Sequence, residues 1–166
     1  ELFDRLIEEG QQAEANVAHI LRQVLELVAH CHSMNIVHRD LKPENILFRN
    51  RSDALGTHAS ELAIAVVDFG MAEIMAPGQI LTARAGSPHY MAPEVIAGRY
   101  TQSAELWTVG VLLYVMLSAQ MPFDGANASA IFSRIRAGHH DTRGAVWEHV
   151  SADAKDLLGS LLQQDP

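Results

Sequence analysis

The sequence is poor in several residue types, and each shortage argues against a class of protein. Its 166 residues include one cysteine, Cys31, so no internal disulfide can form and a reducing, cytoplasmic or nuclear, compartment is expected. The longest nearly apolar stretch, residues 106–117, falls well short of the ~20 residues that a membrane-spanning helix needs. Only 12 Lys and Arg residues stand against 20 Asp and Glu, a net charge of -8, so the positive charge that nucleic-acid-binding surfaces require is missing. We therefore expect no membrane span and no nucleic-acid partner.

The rest of the composition is that of an ordinary globular domain, with 48% apolar and 19% charged residues. Apolar residues recur at helical spacing over residues 14–31, which predicts an amphipathic helix. Further helices are predicted over residues 106–117, between Asn127 and Gly138, and over residues 152–163. The last helix would bury Leu157, Leu158, Leu161 and Leu162. With short strands predicted at 36–37, 46–48 and 62–67, the fold class is mainly α with a few short β-strands.

Three segments lack any regular apolar period and are predicted to be loops. Residues 38–45 form a polar loop between two predicted strands, residues 49–60 form an exposed connection, and residues 68–94 form a long loop with several prolines. Polar loops held between ordered elements often carry catalytic residues, and loops as long as the third are usually functional or disordered. The chain starts without methionine or a signal-like segment, so we expect residues 1–166 to be one domain cut at both ends.

The chemically informative feature is the sequence HRDLKPEN at residues 38–45, followed later by Asp68-Phe69-Gly70. Asp40, Asn45 and Asp68 supply oxygen ligands of the kind that Mg²⁺ prefers when it also binds water and phosphate. Lys42 adds a positive charge nearby. Transfer of a phosphoryl group requires metal ions, a cation for the developing charge and a carboxylate to orient the attacking hydroxyl. The pattern therefore indicates phosphoryl transfer.

With Ala92-Pro93-Glu94 in the expected order behind these motifs, the whole chain resembles the C-terminal lobe of the protein kinase family, without the N-lobe. Lys42 within DLKPEN and the sequence GSPHY at residues 86–90 resemble the serine/threonine branch. The opening ELFD and the sequence GSPHYMAPEVI at residues 86–96 are similar to the calcium/calmodulin-dependent and plant calcium-dependent kinases.

The resemblance implies transfer of the ATP γ-phosphate to Ser or Thr hydroxyls of proteins, with ATP and Mg²⁺ as cofactors. Asp40 would orient the acceptor hydroxyl, and Lys42 would steady the γ-phosphoryl group. Asn45 and Asp68 would hold Mg²⁺. Leu47 would form the floor of the adenine pocket, with Ile46, Leu112 and Met116 packed beneath it.

The resemblance also implies residues that bind the protein substrate. Glu1 and Glu44 resemble the acidic residues that contact a basic residue before the phosphoacceptor. Gly86 and Ser87 belong to the loop that would meet the acceptor. The expected partners are thus a protein substrate of this kind and the missing N-lobe, with calmodulin or EF-hands elsewhere in the parent protein.

The activation loop departs from the family pattern. In such kinases the residue equivalent to Arg39 pairs with a phosphate or an acidic residue on this loop. The expected position is Ala83 here, so Thr82, one residue away, would have to be phosphorylated to serve.

Four further residues are expected to have structural roles. His38 would pack under Phe69, and Glu94 would pair with an arginine beyond residue 166. Glu105 stands where the family nearly always has an aspartate that anchors the catalytic-loop backbone. Its extra methylene is expected to shift or loosen that anchor.

Two alternatives stay open at this point. No Gly-x-Gly-x-x-Gly sequence occurs, so an inactive kinase-lobe fragment that binds other proteins competes with a lobe of an active kinase. The sequence His30-Cys31-His32 invites a zinc interpretation, but neighbours on a helix point about 100° apart, so no zinc site is expected. His139 and His140 are expected to be solvated or to contact a helix end.

Overall fold

The computed structural model describes residues 1–49 and 62–165. The predicted connection 49–60 lies outside the described residues except for Arg49, which is exposed. In the described ranges, no helix is long and apolar enough to cross a membrane.

The described chain is mainly helical, as predicted. The helices are α1 (Leu2–Glu9), α2 (Glu14–Ser33), α3 (Pro93–Ala97), α4 (Ala104–Ser118), α5 (Ala128–Ala137) and α6 (Ala152–Leu161). The side chains of Asn127 and Ser151 accept hydrogen bonds from Ala130 N and Ala154 N and so cap the N-termini of α5 and α6. Gly138 ends α5 at φ 72°, a left-handed conformation that glycine adopts without strain.

The strands are short and form two antiparallel pairs. They are β1 (Ile36–Val37), β2 (Ile46–Phe48), β3 (Ile64–Val66) and β4 (Glu73–Ile74). In the first pair, Val37 of β1 lies opposite Glu73 of β4. In the second pair, β2 lies beside β3 with Leu47 opposite Ala65. The two pairs hold the loop 38–45 at both of its ends.

Helix α4 is the centre of the core, and it packs against both α2 and α6. Its residues are apolar on every side, and almost all are buried, as expected for a helix surrounded by protein. Gly110 lets α6 approach closely, because a Cβ atom there would lie 2.8 Å from Leu162 Cδ2. The Trp107 ring stacks on Phe123 with centroids 5.4 Å apart, which fastens α4 to the turn before α5.

Several elements differ from the sequence prediction. Helix α1 and strand β4 have no predicted counterpart, since α1 buries only a short apolar stripe and a two-residue strand exists only through its partner. Strand β3 is shorter than the predicted 62–67, and α6 ends at Leu161 rather than at residue 163. Leu157, predicted to be buried, is 40% exposed, whereas Leu158 is fully buried.

The predicted loop 68–94 is also more ordered than expected. It contains β4 and short 3-10 helices at Phe69–Met71 and Pro88–Tyr90. Leu81 also forms an isolated bridge with Tyr100. These elements depend on partners far away in sequence, so local periodicity does not reveal them.

Candidate active site

The catalytic-loop residues 38–45 and Asp68 come together because β2 pairs with β3. The loop leaves β1, passes through a 3-10 turn at Pro43–Asn45 and enters β2 directly. Val67, just after β3, donates its backbone N–H to Asn45 O at 2.9 Å. Asp68 is the next residue, so the strand pairing positions it beside the end of the loop.

Asp40 is the centre of this group, and its carboxylate is 8% exposed. Its Oδ1 atom accepts hydrogen bonds from Ser87 N at 3.0 Å and from Ser87 Oγ at 2.9 Å. Its Oδ2 atom lies 2.9 Å from Lys42 Nζ, and Lys42 Nζ also donates to Ser87 Oγ at 3.2 Å. The predicted catalytic residues Asp40 and Lys42 are therefore in direct contact.

Lys42 lies in a negatively charged environment. The hydrogen bond from Lys42 to Asp40 is the main cause that raises the pKa of Lys42. The charges of Glu44 and Asp68 raise this pKa further, while burial opposes them. Lys42 thus keeps its positive charge at neutral pH, directly beside the Asp40 carboxylate.

Asn45 and Asp68 present oxygen atoms that fit Mg²⁺. The Nδ2 atom of Asn45 donates to the Asp40 carbonyl at 2.8 Å, which leaves the Asn45 Oδ1 atom as the group that can bind a cation. Asp68 is exposed in a left-handed conformation, φ 63°, and its Oδ1 atom accepts from Gly70 N at 3.1 Å. One amide and one carboxylate suit Mg²⁺, which keeps several waters and binds substrate phosphates.

Glu105, in the first turn of α4, anchors the backbone of the loop 38–45. Its Oε1 atom accepts from His38 N at 2.7 Å and from Arg39 N at 2.8 Å. Its Oε2 atom lies 2.6 Å from His32 Nε2. Glu105 thus anchors the loop, because one oxygen bridges both N–H groups while the other contacts His32. The shift or loosening relative to an aspartate stays a prediction.

His38 packs under Phe69, as predicted, with ring centroids 4.5 Å apart. The His38 Nε2 atom lies 3.2 Å from Val67 O, and Nδ1 accepts from Asp40 N at 3.3 Å. The His38 ring therefore joins the catalytic loop to the segment that carries Asp68.

Arg39 does not pair with the region of Thr82 and Ala83. Its Nη2 atom lies 3.0 Å from Glu73 Oε2, and its Nε atom donates to Met71 O at 2.5 Å. Thr82 is exposed, and Ala83 O accepts from the Tyr100 hydroxyl at 2.7 Å. The sequence offered no way to choose Glu73, because only the pairing of β1 with β4 brings it to Arg39.

Gly86 and Ser87 contact the loop 38–45, while their predicted role in meeting the substrate stays a prediction. Gly86 has φ 101°, and a Cβ atom there would overlap the carbonyl oxygen of Arg39. Glycine is therefore required at this position, both by the positive φ and by the lack of space for a Cβ atom. Ser87 makes its two hydrogen bonds to Asp40 directly after this contact.

Glu44 has a buried carboxylate oxygen, Oε2, without a hydrogen-bond partner in the described part of the chain. Burial raises the pKa of Tyr90, and the charges of Glu44 and Asp40 add to this effect, so the three groups are neighbours. Glu1 is exposed at the N-cap of α1, and α1 packs against the Pro43–Asn45 turn. The two predicted substrate-binding acids thus belong to adjoining elements.

The predicted adenine-pocket residues lie on strand β2 and in the core helix α4. Ile46 is fully buried, whereas Leu47 is half-buried opposite the exposed Ala65. Successive strand residues face opposite sides, so only Leu47 faces the open side of the pair. Leu112 and Met116 of α4 are fully buried.

Glu94 lines a pocket of about 160 Å³ between α3, α4 and the end of the described chain. Trp107, Leu161 and Asp165 also line it. Burial raises the pKa of Glu94, and no cation in the described ranges forms an ion pair with it. The arginine expected as its partner would lie beyond residue 166.

The structure also shows the surroundings of the histidines. His32 belongs to the sequence His30-Cys31-His32, for which no zinc site was expected. It contacts Glu105, and the neighbouring Cys31 is buried. Among the described residues, no three His, Cys, Asp or Glu side chains form a group that could hold a metal ion. His140 is half-buried against the rings of Tyr114 and Phe123 and hydrogen-bonds the backbone of Gly138, so of the two expected settings it has the contact with a helix end, that of α5.

Comparisons with known proteins agree with this geometry. The family model described as "Protein kinase domain" matches residues 1–166. The chain is 40% identical to "Calcium-dependent protein kinase 7" of Oryza sativa subsp. japonica, over all of this chain and 29% of that protein. It is 39% identical to "Calcium-dependent protein kinase 25" of Arabidopsis thaliana, over all of this chain and 31% of that protein. The chain thus spans less than a third of the length of these relatives. It belongs to the protein kinase domain family, and over its whole length it is similar to plant proteins named calcium-dependent protein kinases.

Proposed function

We propose that this chain is the phosphotransfer lobe of a longer protein kinase, which moves the γ-phosphate of ATP to Ser or Thr hydroxyls of proteins. The observation that carries the proposal is the buried Asp40 carboxylate, held between Ser87 and Lys42. A carboxylate with both oxygens fixed is pre-organised to orient a hydroxyl group.

Asp40 and Lys42 would act on opposite partners of the transfer. The Asp40 carboxylate would accept the hydrogen bond of the acceptor hydroxyl, at the side where Ser87 Oγ now donates. The positive charge of Lys42 would stabilise the negative charge that develops on the phosphoryl oxygens. The contact of 2.9 Å between Lys42 Nζ and Asp40 Oδ2 keeps the ammonium group and the carboxylate side by side.

Asn45 and Asp68 would hold Mg²⁺, and Leu47 would support the adenine ring with Ile46 beneath it. When bound, Mg²⁺ neutralises part of the charge on the phosphates of ATP. The bond from Asn45 to the Asp40 carbonyl fixes the Asn45 amide, so its oxygen keeps one direction.

Asp40→Asn in the longer protein tests the proposal. The amide keeps the shape of the side chain but loses the charge, so we expect phosphorylation of a Ser/Thr peptide to fall by about 10²–10⁴-fold. The exposed Asp156→Asn serves as the matched control and should retain its activity. Full turnover by Asp40→Asn, with unchanged thermal unfolding, would contradict the assignment.

The substrate is proposed to carry a basic residue before the phosphoacceptor. The buried, unpartnered Glu44 Oε2 atom supports this, because a substrate guanidinium would supply the missing hydrogen bonds. Glu1, on the adjoining helix, would add a second negative charge. Glu44→Gln should raise KM for an arginine-containing peptide about tenfold or more and leave an alanine-substituted peptide unaffected. An equal change in KM for both peptides would count against the proposed contact between Glu44 and a basic substrate residue.

A lobe that serves as a protein-binding module is the second candidate. It is favoured by the exposed apolar side chains of Phe69 and Met71, which are 43% and 45% exposed beside Asp68. In an active kinase, the N-lobe would cover them. If the longer protein is folded and binds no ATP in calorimetry, the binding module becomes the better explanation.

Calcium is the proposed regulator, acting through EF-hands elsewhere in the parent protein or through calmodulin. The support is the likeness to relatives that are named calcium-dependent. Kinase activity of the parent should then fall when Ca²⁺ is chelated and return when it is restored. A cytoplasmic or nuclear location is proposed from the single Cys31, and imaging of the tagged parent tests it.

A further inference from the structure

The segment that leads into Gly86 and Ser87 carries one unpaired positive charge, Arg84. Between Glu73 and Glu94 the sequence contains no other Asp, Glu, Lys or Arg residue. Arg84 is exposed, and its guanidinium makes no ion pair or hydrogen bond within the described part of the chain. In a chain with a net charge of -8, this cation is available to a negatively charged group from outside the lobe.

The backbone on both sides of Arg84 is held in place near the catalytic loop. Ala83 O accepts a hydrogen bond from the Tyr100 hydroxyl at 2.7 Å. Two residues after Arg84, a Cβ atom on Gly86 would lie 3.9 Å from Asp40 Oδ1. Two residues of chain span at most about 7 Å, so the Arg84 backbone stays close to the carboxylate that would orient the acceptor hydroxyl. Successive residues of an extended peptide are about 3.3 Å apart, so the Arg84 charge is within reach of substrate residues next to the acceptor.

Arg84 and the two predicted substrate-binding acids belong to elements attached at opposite ends of helix α4. Tyr100, which holds the backbone next to Arg84, lies just before the start of α4. At the other end of α4, Met116 O accepts from the N–H of Gln12, just after α1. One of the two acids is the N-cap of α1, and the other lies in the turn that packs against α1. Since α4 has 15 residues, its ends are about 22 Å apart.

We infer that Arg84 is a specificity-determining residue that selects substrates with an acidic residue within about three positions after the phosphoacceptor. The inference deepens the proposed function and rests on it. In that function, the residues before the acceptor meet the acids beside α1, so the residues that follow the acceptor extend toward Arg84. A guanidinium binds a carboxylate through two parallel hydrogen bonds, which an uncharged alanine at that position cannot form. The expected substrate therefore carries opposite charges on the two sides of its Ser or Thr.

The test uses the full-length protein that contains this chain and a set of Ser peptides that share an arginine before the acceptor. The peptides differ only in one residue after the acceptor, which is Glu, Ala or Lys at the first, second or third position. We expect kcat/KM of the best Glu peptide to exceed that of its Ala counterpart by about two- to fivefold, as for an exposed ion pair. The preference should shrink between about 0.05 and 0.5 M NaCl, because salt screens exposed charges.

Substitutions of Arg84 then assign the preference to this side chain. Arg84→Ala should abolish the preference for Glu over Ala, and Arg84→Glu should make the Lys peptide better than the Glu peptide. Arg84 is exposed, so neither substitution disturbs the core. The exposed Arg22→Ala, on α2, is the matched control and should keep the preference of the wild type.

Peptide binding is the second measurement, because it needs no phosphoryl transfer. The same peptides with Ala in place of the acceptor Ser are titrated into the wild type and into Arg84→Ala in a calorimeter. We expect Kd for the best Glu peptide to be about two- to fivefold lower than for its Ala counterpart, in the wild type only.

Two results would overturn the inference. One is a wild type that shows no preference for Glu at any of the three positions, in turnover or in binding. The other is a preference that survives in Arg84→Ala, since another group would then be its cause. A wild type that binds the peptides with the expected preference and phosphorylates none of them would contradict the proposed function instead, and would support Arg84 as the residue that recognises the acid.

Discussion

At the scale of single residues, Glu105 shows how one side chain can hold a functional loop. It is 4% exposed, yet both of its oxygens are used, by His38 N and Arg39 N on one side and by His32 on the other. A buried carboxylate is stable only with such partners. The extra methylene relative to the aspartate of the family is therefore accommodated.

Glu105→Ala should lower the free energy of unfolding by about 3 kcal/mol, because it leaves two backbone N–H groups near the core without an acceptor. Glu105→Gln is the control, since its amide oxygen can still accept from both groups while its NH₂ faces His32. We expect it to cost about 1 kcal/mol. Urea unfolding of both variants measures the difference, and equal losses would show that charge, not backbone satisfaction, matters.

His140 gives a pH dependence at the same scale. Burial lowers the pKa of His140 from its ordinary value of 6.5, so the folded state binds its proton less readily than the unfolded state. The stability that depends on neutral His140 is present above pH 6.5 and is lost as the pH falls below that value.

His140→Gln should therefore reduce the loss of thermal stability between pH 7.5 and about 5.5. The exposed His149→Gln is the matched control and should follow the wild type. Melting temperatures at several pH values provide the measurement. Parallel curves for the wild type and His140→Gln would contradict the assigned cause.

At the scale of elements, the packing of α4 against α6 depends on a single glycine. A Cβ atom on Gly110 would lie 2.9 Å from Leu161 Cβ and 2.8 Å from Leu162 Cδ2, closer than carbon atoms pack. Gly159 of α6 offers a comparison, because a Cβ atom there would meet nothing within 4 Å. The two glycines thus separate helix propensity from close packing.

Gly110→Ala should destabilise the protein by about 1–3 kcal/mol, since overpacking outweighs the gain in helix propensity. Gly159→Ala should instead stabilise it by up to about 1 kcal/mol, because alanine favours the helix and meets no neighbour. Denaturant unfolding of the two variants measures the change in the free energy of unfolding, which we expect to be a loss for Gly110→Ala and a gain for Gly159→Ala. A neutral Gly110→Ala would mean that α6 moves away without cost.

At the scale of the whole molecule, the sequence predicted what is contiguous and missed what is brought together by folding. Asp40, Lys42 and Asn45 lie within one short motif, so their common site could be expected. The contacts of His32 with Glu105 and of Arg39 with Glu73 join separate elements, and no local pattern encodes them. Both are polar contacts that only the packing of α2 on α4 and of β1 on β4 creates.

Glu94 is a half-buried acid without an ion-pair partner in the described residues. Its carboxylate lines the pocket between α3 and α4, and burial raises its pKa above the ordinary value of 4.5. In residues 1–166, the folded state therefore holds this proton more tightly than the unfolded state. The free energy of unfolding that depends on protonated Glu94 is present at low pH and is lost as the pH rises through the raised pKa.

Expressed as residues 1–166, Glu94→Gln should therefore melt at a higher temperature than the wild type at pH 7, and the difference should shrink toward pH 4.5. In the longer protein we expect the opposite sign at pH 7. There the arginine that the family resemblance implies would pair with Glu94, and its loss would leave a buried cation unpaired. Melting curves of both proteins with and without the substitution make the comparison. The same sign in both would mean that no cation from the following chain enters this pocket.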